Sequence, residues 1–219
     1  MLDIGWMAGH LDDLVYRLAQ HVWLSAIALA VGFVISFVLA VIAVRRRAAY
    51  GPIIAVSDIL YTIPSLALFA ALVSVTGITL LTVEIPLTMY TLVIFVRNIA
   101  AGFDAIPADV LEAANGLGYT GRQRLWRVEV PLAVPLIVAG LRLATVSTIG
   151  LVTVTSILGD SFGGLGFFIL EGYNRSFPTE LYFGALPSIL LALVADILLA
   201  RLERVVTPWT RVATSAAPS

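Results

Sequence analysis

The stretch that decides the fold is residues 22–44, VWLSAIALAVGFVISFVLAVIAV, which contains no charged side chain. A helix needs about 20 apolar residues to cross the hydrocarbon core of a bilayer, so this run is long enough to span it. The run is too long for the apolar part of a signal peptide, and three arginines follow it rather than precede it: Arg45, Arg46 and Arg47. The sequence therefore predicts a membrane-spanning helix here.

The composition of the whole chain supports a membrane protein. Of its 219 residues, 60% are hydrophobic and 12% are charged, whereas a typical soluble domain has about 25% charged residues. So little polar surface excludes a water-soluble enzyme and a disordered chain. The absence of cysteine excludes disulfides and thiolate chemistry, and the two histidines, His10 and His21, give little material for a metal site or a catalytic triad. We therefore expect no catalytic residues and no bound metal.

Four further apolar segments follow the first, at about residues 53–75, 85–101, 131–158 and 181–199. The predicted fold class is an all-α membrane protein with about five transmembrane helices. The predicted organisation is an extracytoplasmic segment at 1–21, a single transmembrane domain at 22–202 that includes a polar loop at 104–130, and a tail at 203–219.

The arginines predict how the chain is oriented in a bacterial cytoplasmic membrane. Short cytoplasmic loops collect positive charge. With the N-terminus outside and the C-terminus in the cytoplasm, only Arg17 and Arg175 of the 13 basic residues lie outside. The opposite orientation would invert that distribution.

The polar loop contains a short predicted helix. Pro107 suits a first helical turn, Asp109 and Glu112 suit the positive end of the helix dipole, and Gly116 and Gly118 stop the helix. The residues of its apolar face are Val110, Leu111, Ala113, Ala114 and Leu117. Such a helix either docks into a groove of another protein or only reverses the direction of the chain. The pattern of apolar and charged residues is compatible with both interpretations.

The spacing in this loop resembles the EAA loop of bacterial ABC-importer permeases. Glu112-Ala113-Ala114 is followed after three residues by Gly118, and after nine more by Val128-Glu129-Val130-Pro131-Leu132. Three other segments resemble the branch of these permeases that imports glycine betaine, choline, carnitine and related osmoprotectants: 61–65 (YTIPS), 163–166 (GGLG) and 191–196 (LALVAD).

The resemblance implies a MetI-like ABC permease fold and several partners. It implies two ABC ATPase subunits, a second permease subunit that is identical or related, and an extracytoplasmic substrate-binding protein, with membrane lipid around the chain and no nucleic acid. ATP and Mg would be bound by the ATPase, because this chain has no lysine and hence no G-x-x-x-x-G-K-[ST] phosphate loop. The residues it assigns to ATPase coupling are Glu112, Ala113, Ala114, Gly118 and Pro131.

Charged residues inside predicted spans are candidates for function, because each is costly unless it is paired or hydrated. Asp58 and Arg97 lie near the inner ends of two spans, and Arg142 and Asp196 lie at similar depths in two others. Each pair is either a structural ion pair or a contact for cargo.

Pro64 is expected to break the second span and to free backbone carbonyls, a feature typical of transport pathways. The residues predicted near a translocation path are Tyr61, Thr62, Pro64, Ser147 and Thr148. The competing explanation is that the hydroxyl groups bond back to their own helix. Residues 163–168 look too rich in glycine for a regular helix, and form either an outer cover or a hairpin turn.

Small residues recur every fourth position in the first span, at Ala28, Gly32, Ser36 and Ala40, which predicts close helix packing. As alternatives to an osmoprotectant permease we keep an ABC permease for another small solute, such as an amino acid, and an ion-gradient-driven secondary transporter. The second alternative leaves the long polar loop unexplained.

Overall fold

The computed structural model describes residues 2–208 and is helical, with no strand in that range. The tail residues from 209 onward, including Arg211, lie outside the described residues. The helices are α1 (Ile4–Gly9), α2 (Leu11–Arg45), α3 (Arg47–Thr62), α4 (Ser65–Thr76), α5 (Leu80–Asp104), α6 (Ala108–Gly116), α7 (Gly121–Arg124), α8 (Val130–Val154), α9 (Gly166–Asn174) and α10 (Pro178–Val206). A π-helical turn (Leu125–Glu129) joins α7 to α8, and two 3₁₀ turns (Thr155–Leu158 and Asp160–Phe162) precede α9.

Within residues 2–208, four helical runs are long and apolar enough to cross a membrane: Leu11–Arg45, Leu80–Asp104, Gly121–Leu158 and Pro178–Val206. The pair α3 and α4 makes a fifth span only if the two are counted together, because they are bent by 90° at their junction. The predicted all-α class is confirmed, with four to five candidate spans.

The bend in the second span has a local cause. Pro64 has no backbone N–H, and its ring disfavours helical geometry in the residue before it. Ile63 accordingly takes an extended conformation, with φ −69° and ψ 122°, and ends α3. The predicted break at Pro64 is confirmed.

The small residues of α2 pack against α5, as predicted. Ala28, Ser36 and Ala40 have no exposed surface, and Gly32 is also buried. A methyl group on Gly32 would overlap the hydroxyl of Thr91 on α5. Small side chains thus allow the two backbones to approach each other closely.

The expectation that residues 163–168 are too rich in glycine for a helix was wrong, because α9 begins at Gly166. This glycine serves helix packing, since a methyl group there would overlap the backbone oxygen of Thr153 in α8. His21 holds the preceding turn: the Leu165 N–H donates to its Nδ1 at 3.2 Å, and its Nε2 donates to the Ile149 oxygen at 2.9 Å. The segment is a short helix packed on the bundle, not a simple hairpin.

Two helices extend beyond their predicted spans. Helix α2 begins at Leu11, within the predicted N-terminal segment, and its Arg17 pairs with Asp160. Helix α10 runs on to Val206, into the predicted tail, and its Glu203 accepts a bond from Arg142 at 3.0 Å. Ion pairing thus holds both extensions against the rest of the bundle.

Candidate functional sites

The helix predicted in the polar loop is present as α6, which runs from Ala108 to Gly116 directly after Pro107. Gly118 ends it with a φ of +78°, in the left-handed region. The Gly118 N–H donates to the Asn115 oxygen at 3.0 Å, and the Tyr119 N–H donates to the Ala114 oxygen at 3.2 Å. This is the Schellman arrangement, which favours glycine because other L-residues are strained there.

The apolar residues of α6 do not form the single face that the sequence suggested. Val110 and Leu111 pack against the protein's own core, and Ala114 is buried with them. Glu112 and Ala113 are exposed, and Leu117 is 76% exposed. Of the two alanines assigned to coupling, Ala113 therefore lies on the outer surface of α6 and Ala114 on its inner one.

Arg124 fixes α6 to the start of α8. Its Nε donates to a Glu129 oxygen at 2.6 Å, and its Nη1 donates to the Asn115 side chain at 2.8 Å. Pro131 follows in the first turn of α8, directly after the π-helical turn. This group defines what we call the arginine end of the bundle, where Arg45 also bonds the Gly121 oxygen at 2.7 Å.

Four of the five residues predicted near a path line one cavity of about 280 Å³, beside the bend at Pro64. They are Tyr61, Thr62, Pro64 and Ser147. Thr148 does not line it: the side chain is buried, and its hydroxyl donates to the Ala144 oxygen at 2.7 Å. For Thr148 the competing explanation, a hydroxyl bonded to its own helix, describes the structure.

Tyr90 also lines this cavity, although it is not among the residues predicted from the sequence. Its hydroxyl donates to the Ile63 oxygen, the carbonyl at the bend, and its ring meets that of Tyr61 edge-on with centroids 5.9 Å apart. Tyr90 precedes Arg97 by two helical turns, so both side chains lie on one face of α5. This spacing was the sequence signal from which Tyr90 could have been predicted.

Both suggested ion pairs form. Arg97 donates from Nε to Asp58 Oδ1 at 3.0 Å and lines a second cavity of about 360 Å³. Arg142 donates from Nε to Asp196 Oδ1 at 2.9 Å and also binds Glu203. Glu203 escaped prediction because it was assigned to the tail.

Glu84 is a further intramembrane acid that was not predicted, because the third span was taken to begin after it. It is 8% exposed, and neither carboxylate oxygen has a hydrogen-bond partner among the described residues. Ser25 Oγ on α2 is likewise buried without a partner there. A buried, unpaired acid is costly in an apolar bundle, so Glu84 marks a polar position in the N-terminal half of α5.

Long apolar helices around a broken span define an integral membrane protein. Ion pairs lie within its bundle, and an exposed, capped helix lies at one end. The chain matches the family described as "Binding-protein-dependent transport system inner membrane component" over residues 32–212, and it belongs to that family. The predicted location in the bacterial inner membrane is thereby confirmed.

Curated relatives cover most of the chain. The glycine betaine/carnitine/choline transport system permease protein OpuCB of Bacillus subtilis is 35% identical over 90% of this chain and 89% of its own length. The osmoprotectant import permease protein OsmW of Salmonella typhimurium is 38% identical over 92% of this chain and 94% of its own length. The choline transport system permease protein OpuBB of B. subtilis is 35% identical over 90% of this chain and 89% of its own length.

Solved structures confirm the MetI-like fold. A chain of the inward-facing MetNI methionine ABC transporter superposes with a TM-score of 0.78 at 21% identity, over 89% of this chain and 96% of that chain. A chain of an amino acid ABC transporter solved with histidines gives a TM-score of 0.70 at 18% identity, over 93% of this chain and 99% of that chain.

Proposed function

We propose that this chain is the transmembrane permease subunit of an ATP-driven importer for quaternary ammonium osmoprotectants such as glycine betaine, choline and carnitine. The observation that carries the proposal is the 35–38% identity, across nine-tenths of the chain, to permeases whose names specify these solutes or osmoprotectants in general. The cavity beside the bend, lined by tyrosines, hydroxyl groups and backbone, is chemically suited to such cargo because aromatic rings attract quaternary ammonium groups.

In this proposal two permease subunits face each other, and the cargo passes between them along the cavities beside the broken span. The second subunit is a copy of this chain or a close relative. The N-terminus is extracytoplasmic and the arginine end is cytoplasmic, as the positive-inside distribution favours. A separate binding protein delivers cargo on the outer side.

Energy comes from two ABC ATPase subunits, which bind ATP and Mg and contact α6. Its exposed surface offers them a carboxylate at Glu112, a small residue at Ala113 and an apolar side chain at Leu117, which is 76% exposed. ATP can shift the permease between conformations only if the ATPase contacts the two conformations differently. In this proposal α6 carries that difference, while Ala114 and Gly118 fix its position and its end.

The test is uptake into proteoliposomes that contain the permease, its ATPase and its binding protein, with a panel of glycine betaine, choline, carnitine, methionine and histidine. We expect ATP-dependent uptake of at least one quaternary amine. Uptake of only the two amino acids would overturn the substrate class, and vectorial transport by the permease alone would overturn the dependence on an ATPase.

The coupling role has its own test. Glu112→Arg should abolish uptake and co-purification of the ATPase while the chain still inserts. The matched control is Asp12→Arg, which alters an acid that is also exposed but lies at the other end of the bundle, and it should retain both. Equal uptake in the two variants would contradict docking at α6.

A further inference from the structure

The two cavities beside the broken span adjoin, because Tyr61 and Ile94 line both. Their volumes are about 360 and 280 Å³. The first holds the charged pair Asp58 and Arg97, and the second holds Tyr90 and the bent backbone at Ile63. The combined space therefore has a charged side and an aromatic side, which meet at Tyr61.

On the charged side, Arg97 has an unused hydrogen-bonding edge. Its Nε and Nη2 both donate to the same atom, Oδ1 of Asp58, and within residues 2–208 its Nη1 has no hydrogen-bond partner. The Arg97 side chain is 56% exposed. A guanidinium ion held in place by one carboxylate, with a free N–H edge, is suited to binding a second carboxylate.

On the aromatic side, Tyr61 presents an open ring. The residue is 57% exposed, and the Tyr90 ring packs against it at an interplanar angle of 70°. Tyr90 is in turn fixed by its bond to the Ile63 oxygen. A quaternary ammonium group has no N–H to donate, so an aromatic face is its natural contact, and the nearby Asp58 carboxylate adds favourable charge.

We propose that these two poles form a site for zwitterionic quaternary amines, in which the cargo carboxylate binds Arg97 and the trimethylammonium group lies on Tyr61. The inference rests on the proposed osmoprotectant function and adds a substrate class to it. Glycine betaine and carnitine carry both groups, whereas choline carries only the ammonium. Arg97 is thus the residue that favours zwitterions over simple cations, and Asp58 positions its guanidinium.

The test measures binding directly, with the intact permease–ATPase complex in nanodiscs and without the binding protein. Saturation-transfer NMR at millimolar ligand reports contact through the methyl protons of two probes, glycine betaine and tetramethylammonium. The variants are Arg97→Gln and Tyr61→Leu. Their matched controls are Arg201→Gln and Tyr173→Leu, which remove an exposed arginine on α10 and an exposed tyrosine on α9. Thermal unfolding of each variant checks that it is folded.

We expect Arg97→Gln to weaken glycine betaine binding about tenfold or more, from the loss of a charge-assisted hydrogen bond, and to retain tetramethylammonium binding. Tyr61→Leu should weaken both probes, whereas Tyr61→Phe and the two controls should weaken neither. Equal loss of both probes in Arg97→Gln, an undiminished glycine betaine signal in that variant, or no signal in the unaltered complex would overturn the site. The uptake panel is independent, so quaternary amine uptake without this binding pattern would refute the site and leave the proposed function standing.

Discussion

Replacing Gly118 with alanine tests why the helix of the polar loop ends where it does. An L-residue in the left-handed conformation costs about 1–2 kcal/mol, and Gly118 sits there with a φ of +78°. The two hydrogen bonds of the cap contribute about 0.5–1.5 kcal/mol each. The strain of an L-residue at position 118 is therefore comparable with the combined free energy of these two hydrogen bonds. A methyl group added at Gly118 would have none of the described neighbouring atoms within 4 Å, so steric overlap plays no part.

A loss of 1–2 kcal/mol changes a population by about 5- to 30-fold. We therefore expect the open form of the cap to become that much more common in Gly118→Ala, and trypsin to cleave after the neighbouring Arg122 faster by a similar factor. ATP-dependent uptake should fall as α6 loses its fixed end. The control is Gly116→Ala, which lies in the last turn of α6 with equally open surroundings and a helical backbone. Cleavage and uptake that match in the two variants would refute the argument.

Three more predictions follow from packing and pairing. Gly166→Ala should lower the unfolding free energy by about 1–3 kcal/mol, because the added methyl group meets the Thr153 backbone. The control Gly150→Ala, whose methyl group would have nothing within 4 Å, should leave the unfolding free energy unchanged. Equal losses of stability in thermal scans of the two variants would contradict this packing. Arg142→Gln should lower the melting temperature more than Asp196→Asn, because the first variant leaves two acids without their cation, whereas the second retains the bond between Arg142 and Glu203. The reverse order of melting temperatures would contradict this network. Tyr90→Phe should cost about 1 kcal/mol through the unpaired Ile63 oxygen, whereas Tyr61→Phe should cost nothing in the same scans.

The sequence was sufficient to predict features that depend on local chemistry. The apolar run at 22–44 identified a spanning helix, Pro64 identified the break, and Gly118 identified the end of α6. Each of these follows from hydrophobic length or from backbone geometry that only one or two residue types allow. The small-residue stripe of α2 was equally informative, since its spacing matches the helical repeat.

Features that depend on which surfaces meet could not be predicted. The direction in which Ala114 faces depends on a core built from distant helices, and the helix at Gly166 depends on space beside Thr153. Tyr90 and Glu203 required knowledge of which helix faces the bend and of how far α10 continues. Thr148 was misplaced because a row of hydroxyl groups does not reveal which of them satisfy their own helix.

The unbroken helical run from Gly121 to Leu158 has a mechanical consequence. At 1.5 Å per residue, this rod is about 57 Å long, so a tilt of about 5° at one end displaces the other by about 5 Å. Arg124 attaches the rod's base to α6, and His21 grips it near the far end through the Ile149 oxygen. Because no flexible loop lies between these two contacts, a displacement of α6 would also move the far end of this helical run.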